Sequence, residues 1–306
     1  MTEVILLDGG MGQELIKRSG RPASPLWSTQ VLIDNPGLVG EVHRAYADAG
    51  ATVATTNSYA IHRDRLRGAA SNHYASKDVE LKNREAEFES LLEAAAEEAQ
   101  VVRDRSRVAG AIGPLAASYR PDLHPSEADA IPLYAEAVQV LAPKSDILLF
   151  ETIASLEALR ACLAAGRKAD RTLWVALTVD DEDGSKLRSG EAVAEAAKIA
   201  CEADAVLANC SAPEAMPAAL DALASAGIPT GAYGNAFAGL TKAFVEGGAT
   251  AEALSARRDM GPEPYATLAM SWLDHGATIL GGCCETGPAH IAEIAKRLKS
   301  AGHTIV

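Results

Sequence analysis

Eight times along the chain a short apolar run stops at a glycine or polar residue and gives way to a helical stretch. The runs are residues 4–7, 52–55, 107–112, 146–150, 172–177, 205–208, 229–232 and 277–280. They carry so few polar residues that each reads as a strand buried on both faces of a parallel sheet. Helical stretches follow at 36–49, 79–102, 126–141, 155–165, 190–201, 213–224, 265–273 and 288–299. Eight strand–helix units close into a (β/α)8 (TIM) barrel, an α/β fold. No Pro/Ser-rich linker, low-complexity tract or charge block divides the 306 residues, so the sequence predicts a single domain over 1–306.

A barrel of this kind keeps its chemistry at the C-terminal ends of its strands. Asp8-Gly9-Gly10 follows the first run, Thr56-Asn57-Ser58-Tyr59 the second, Glu151-Thr152 the fourth and Asn209-Cys210 the sixth. Tyr233-Gly234-Asn235 follows the seventh and Gly281-Gly282-Cys283-Cys284 the eighth. Thiols at the ends of two strands converge if those strands share a sheet. Three thiolates with one vacant position suit a tetrahedral zinc ion kept open for chemistry. The two glycines are expected to turn the backbone sharply, so that consecutive cysteines both aim inward. Spacing alone leaves a second reading open, a set of buried free thiols. Cys162 and Cys201, inside alanine-rich helical stretches, fit that blander role. His43 falls on a helix and reads as packing in the outer ring. Three long βα loops, 63–78, 116–125 and 234–260, are expected to cover the barrel mouth.

Composition narrows the partners. A net charge of −13 argues against nucleic acid and is compatible with a cationic ligand. No apolar run approaches bilayer length, so no membrane association is expected. The N-terminus enters a strand at once with no basic leader, and five cysteines fit a reducing compartment. The expected location is the cytoplasm.

These strand ends, with Pro25-Leu26-Trp27-Ser28, Asn35-Pro36 leading to His43, Gly50-Ala51 and Ala111-Ile112-Gly113-Pro114, resemble the homocysteine S-methyltransferase family, which includes betaine–homocysteine enzymes. The matching segments run in order over almost the whole chain, and the two cysteine motifs together are the specific part. The resemblance implies a zinc cofactor on Cys210, Cys283 and Cys284, which act through the metal. It also implies methyl transfer from a cationic onium donor to homocysteine, giving methionine. Asp8 and Glu151 would bind the homocysteine ammonium. Tyr59 resembles a tyrosine that approaches the metal without substrate, and Trp27 an aromatic near the donor. Asn209 and Asn235 would hydrogen-bond substrate or the groups around it.

The chain departs from the family pattern at Tyr233-Gly234-Asn235-Ala236-Phe237, where many relatives carry Pro-Asn-Ser-Gly. It departs again at Leu115-Ala116-Ala117, which lacks the usual aromatic–glycine pair. It lacks the tail that builds tetramers in the betaine branch, so a monomer or small homo-oligomer is expected. The favoured donor is a sulfonium, S-methylmethionine or S-adenosylmethionine. The alternatives are a betaine or other thiol methyltransferase on the same scaffold, or a non-catalytic zinc- and homocysteine-binding sensor.

Overall fold

Every apolar run becomes a strand. The computed structural model describes residues 2–68, 71–75, 81–240, 242–247, 250 and 254–306. The strands are β1 (Glu3–Leu6), β2 (Val53–Thr55), β3 (Arg107–Ile112), β4 (Ile147–Ile153), β5 (Thr172–Leu177), β6 (Ala205–Asn209), β7 (Thr230–Tyr233) and β8 (Ala277–Leu280). All pair in parallel, each with its neighbour in sequence, and β8 pairs with β1. A bridge between Leu7 and Val53 closes the circle, with Thr52 N donating to Leu6 O at 2.7 Å and Asp8 N to Val53 O at 3.2 Å. This is the expected (β/α)8 barrel.

One strand is additional. Because β2 is short, it pairs only the upper end of β1, and β9 (Thr304–Ile305) takes the rest of that edge. Thr304 N donates to Thr2 O and Val306 N to Val4 O, next to the Leu6 carbonyl that β2 uses. The chain's last residues thus cover an edge that would otherwise stand open.

Alternation along the strands decides what points into the barrel. Leu7, Val53, Ile147, Leu149, Ala205, Leu207 and Ile279 form one interior cluster. Leu6, Leu148, Phe150, Val206 and Leu280 belong to the layer between sheet and helices. Continuing the inward set upward by two residues reaches Thr55, Glu151, Asn209 and Gly281. The barrel's period therefore aims Glu151 at the mouth.

The outer ring departs from expectation in places. Helices Met11–Ser19 and Ser28–Asp34 precede Leu38–Ala49, and strand–helix counting does not foresee them. The stretch expected from residue 79 is helical over Phe88–Ala99, with a 3-10 turn to Val102. Residues 79 and 80 lie outside the described residues. Two helices begin with serine caps: Ser126 Oγ accepts from Asp129 N at 3.3 Å and Ser155 Oγ from Ala158 N at 3.2 Å. Among the described residues no helix is long and apolar enough to cross a membrane.

His43, on helix Leu38–Ala49, is 1% exposed and neither ring nitrogen has a partner. Burial pushes its pKa down to about 3. The imidazole is neutral when folded and takes a proton on unfolding, so its stabilisation is complete above pH ~6.5 and fades as pH falls toward 3. At pH 5 the loss is about 2 kcal/mol. His43→Phe should therefore gain about that much on wild type between pH 7.5 and pH 5, read by urea unfolding. A pH-independent difference would show that His43 does not titrate this way.

Candidate active site

Cys210 follows the last residue of β6, and Cys283 and Cys284 lie three and four residues beyond β8. Their sulfurs meet. Cys283 Sγ is 2.8 Å from Cys210 Sγ, Cys284 Sγ is 3.6 Å from Cys210 Sγ, and the two neighbouring sulfurs are 3.9 Å apart. A tetrahedral zinc with Zn–S bonds of about 2.3 Å spaces its sulfurs by about 3.8 Å. Two of the three separations already fit, and the third must open by about 1 Å. Among the described residues this is the one group of three or more His, Cys, Asp or Glu with ligand atoms close enough to hold a metal. The donor set therefore fits zinc. Hydrogen bonds from the Cys283 and Cys284 thiols hold the pKa of Cys210 well below its usual range. Cys210 in turn pushes the thiols of both partners up.

The glycines do not turn the chain as expected. Gly281 and Gly282 have no left-handed backbone; the positive φ angles fall on Cys210 (48°) and Glu285 (63°). The glycines are required by close approach instead. A Cβ on Gly281 would lie 2.6 Å from Leu7 Cβ, and one on Gly282 would lie 2.1 Å from Thr286 Oγ1. Thr286 Oγ1 donates to Cys283 O at 2.6 Å and closes the turn behind the thiols.

Two carboxylates face the same space. Asp8, 2% exposed, accepts from Thr55 N at 2.7 Å and from Thr55 Oγ1 at 2.8 Å. Burial outweighs these bonds and lifts its pKa to about 7. Glu151 accepts from the Tyr233 hydroxyl at 3.0 Å. Its pKa rises to about 8, first through desolvation and then through the charges of Cys210 and Asp8. Among the described residues the side-chain partners of these carboxylates are the neutral Thr55 and Tyr233, and neither carboxylate forms an ion pair. Such a pair is suited to receive a positively charged group from outside.

The cavity between thiols and carboxylates has a volume of about 110 Å³, and Trp27 and Tyr59 line it. Their rings meet edge-to-face with centroids 6.3 Å apart. The hydroxyl that reaches sulfur is that of Tyr119, 2.9 Å from Cys210 Sγ; Tyr59 bonds Ser118 Oγ at 2.6 Å instead. Parts of all three long loops close over the mouth, where Tyr74, Tyr119, Phe237, Phe244 and Leu254 pack with Cys210 and Cys284. Residues 69–70, 76–78, 241, 248–249 and 251–253 of those loops lie outside the described residues.

Neither asparagine lines this cavity. Asn209 is fully buried; its Oδ1 accepts from Thr152 N at 3.0 Å and its Nδ2 donates to Thr152 Oγ1 at 3.1 Å. It thereby holds the left-handed Thr152 (φ 62°) that shapes the bulge beside Glu151. Asn235 Oδ1 accepts from Phe237 N at 3.2 Å and shapes its own loop. The motifs assign no role to Thr55, Tyr119 or Tyr233. Thr55 and Tyr233 carried one usable signal, their place as last residues of β2 and β7. Tyr119, deep in a loop, carried none.

The family model described as homocysteine S-methyltransferase matches residues 5–298. The chain is 33% identical to the homocysteine S-methyltransferase of Escherichia coli (strain K12), over 96% of this chain and 95% of that protein. It is 29% identical to homocysteine S-methyltransferase YbgG of Bacillus subtilis (strain 168), over 97% and 95% of the two. The crystal structure of the E. coli homocysteine methyltransferase MmuM in its metallated form superposes with a TM-score of 0.74 at 27% identity, covering 96% of each chain.

Proposed function

The chain belongs to the homocysteine S-methyltransferase family and is a methyltransferase, and from that premise we propose that it carries a methyl group from a sulfonium donor, S-methylmethionine or S-adenosylmethionine, to the thiol of homocysteine, with zinc as cofactor. The observation that carries this reading is the meeting of three thiols, placed by the ends of β6 and β8, beside two carboxylates that form no ion pair among the described residues.

Cys210, Cys283 and Cys284 would hold the zinc, which when bound turns an incoming thiol into a thiolate at neutral pH. Asp8 and Glu151 receive the homocysteine ammonium, fixing the amino acid with its sulfur toward the cysteines. Thr55 and Tyr233 hold those carboxylates in place, and Asn209 braces the backbone that carries Glu151. Tyr119, at hydrogen-bond distance from Cys210, steadies charge on that sulfur.

Aromatic faces attract an onium group by about 0.5–2 kcal/mol, and Trp27 and Tyr59 offer them. Transfer needs the donor methyl in line with the homocysteine sulfur at roughly 3–3.5 Å. The new C–S bond forms as the old one breaks, and the leaving electron pair stays on a neutral thioether. Phe237, Phe244 and Tyr74 keep water from competing for the methyl.

Metal-loaded protein given homocysteine with S-methylmethionine, S-adenosylmethionine, dimethylsulfoniopropionate or glycine betaine should make methionine fastest with one of the first two. A clear preference for betaine would overturn the donor assignment. Homocysteine binding with no turnover of any donor would overturn the enzymatic one.

A further inference from the structure

Three arginines stand close together after β2, and their surroundings differ. Arg63 pairs with Glu136 at 2.6 Å and Arg67 with Glu85 at 2.9 Å, both near the surface. Arg65 is 3% exposed, lines the cavity, and forms no ion pair among the described residues. Its Nη2 donates to Pro114 O at 3.3 Å, and its Nε has no partner. The guanidinium lies 5.3 Å from the Tyr74 ring centroid and 5.9 Å from that of Tyr59. Asp64, its sequence neighbour, feels the positive charge yet forms no ion pair with it. A buried cation left this way is unfavourable unless an anion arrives to complete it.

We propose that Arg65 selects the methyl donor by binding its carboxylate. The proposal rests on the methyl-transfer reading above and names the second substrate's chemical class. Arg65 lies against Tyr59 and Tyr74, whereas Asp8 bonds Thr55 and Glu151 bonds Tyr233, so the cation and the carboxylates occupy different parts of the cavity wall. An α-amino acid bears its ammonium and carboxylate on one carbon. A homocysteine whose ammonium sits between Asp8 and Glu151 keeps its carboxylate at that end, and the anion for Arg65 belongs to the other substrate. Arg65 also repels a donor that carries positive charge alone, so this pocket favours a sulfonium that bears a carboxylate. Tyr59 touches both ideas at once. One ring meets the Trp27 wall offered to the onium group, and the same ring faces the guanidinium.

The test uses the full-length, metal-loaded protein with S-methylmethionine and with trimethylsulfonium, which has no carboxylate. Arg65→Gln should raise KM for S-methylmethionine by about 10- to 150-fold, the worth of one charge-assisted hydrogen bond, with a smaller effect on kcat. The dissociation constant of homocysteine should stay within about twofold of wild type, because its contacts are elsewhere. Trimethylsulfonium should be used no worse by the variant than by wild type, and Arg65→Lys should recover part of the loss. Equal losses with both donors, or weakened homocysteine binding, would overturn the assignment. Calorimetry of S-methylmethionine and of S-adenosylmethionine on homocysteine-loaded protein separates the two levels of the argument. No binding of either S-methylmethionine or S-adenosylmethionine to wild type would defeat the functional reading itself, whereas donor binding unchanged in Arg65→Gln would defeat only the role of Arg65.

Discussion

Cys210→Ala should lose bound zinc and turnover together. Removing a neighbour of a metal ligand commonly lowers metal affinity 10–100-fold, and removing one of three ligands should lower it by more than about 100-fold. Two sulfurs 3.9 Å apart remain, which is too few to hold a catalytic zinc against a chelator. The control is Cys201→Ala. That thiol is exposed and donates only to Lys198 O at 3.1 Å, so metal content and rate should match wild type. Metal per chain after dialysis against a weak chelator, together with methionine formation, reads both effects. Full zinc content and full activity in Cys210→Ala would remove the cluster from the mechanism.

Glu151→Gln should weaken homocysteine binding while making the ligand-free protein more stable at alkaline pH. The binding loss follows from removing a charge-assisted contact to the ammonium, on the order of 1.5–3 kcal/mol. The stability gain follows from the raised pKa. A carboxyl that titrates near 8 when folded and near 4.5 when unfolded favours the folded state fully only below about 4.5. That contribution disappears as pH climbs through 8, and the neutral amide of glutamine escapes the loss. The ligand-free variant should therefore melt above wild type at pH 8, with the gap closing at pH 5. Homocysteine should narrow that gap at pH 8, because its ammonium compensates the charge in wild type alone. 3-Mercaptopropionate, a thiol without the amino group, should bind wild type poorly and distinguish the two proteins little. Equal affinity of wild type for both thiols would show that the two carboxylates serve another purpose.

Both experiments exploit residues that a strand's end makes conspicuous. Burial on two faces leaves an apolar run in the sequence, and eight such runs with helices between them specify the barrel. The first residues after each run stand at the mouth, and that position is what makes Asp8, Glu151, Cys210, Cys283 and Cys284 conspicuous in the sequence. For Glu151 the alternation of β4 even specifies its direction, since Ile147 and Leu149 face inward below it.

Loops carry no such period. The path of residues 116–125 alone brings the Tyr119 hydroxyl, rather than that of Tyr59, onto Cys210. Arg65 reads as one arginine among three until packing leaves it without an ion-pair partner among the described residues. Asn209 reads as a hydrogen bond to substrate or to the groups around it, and only packing shows that its amide is spent on the backbone and hydroxyl of Thr152. Gly281 and Gly282 announce a special backbone, but Leu7 and Thr286 are what exclude a side chain there. Sequence period reports which face of one element is buried, a local property of consecutive residues. Close approach, charge pairing and hydrogen-bond partners depend on segments far apart in the chain, and only the closed barrel brings those together.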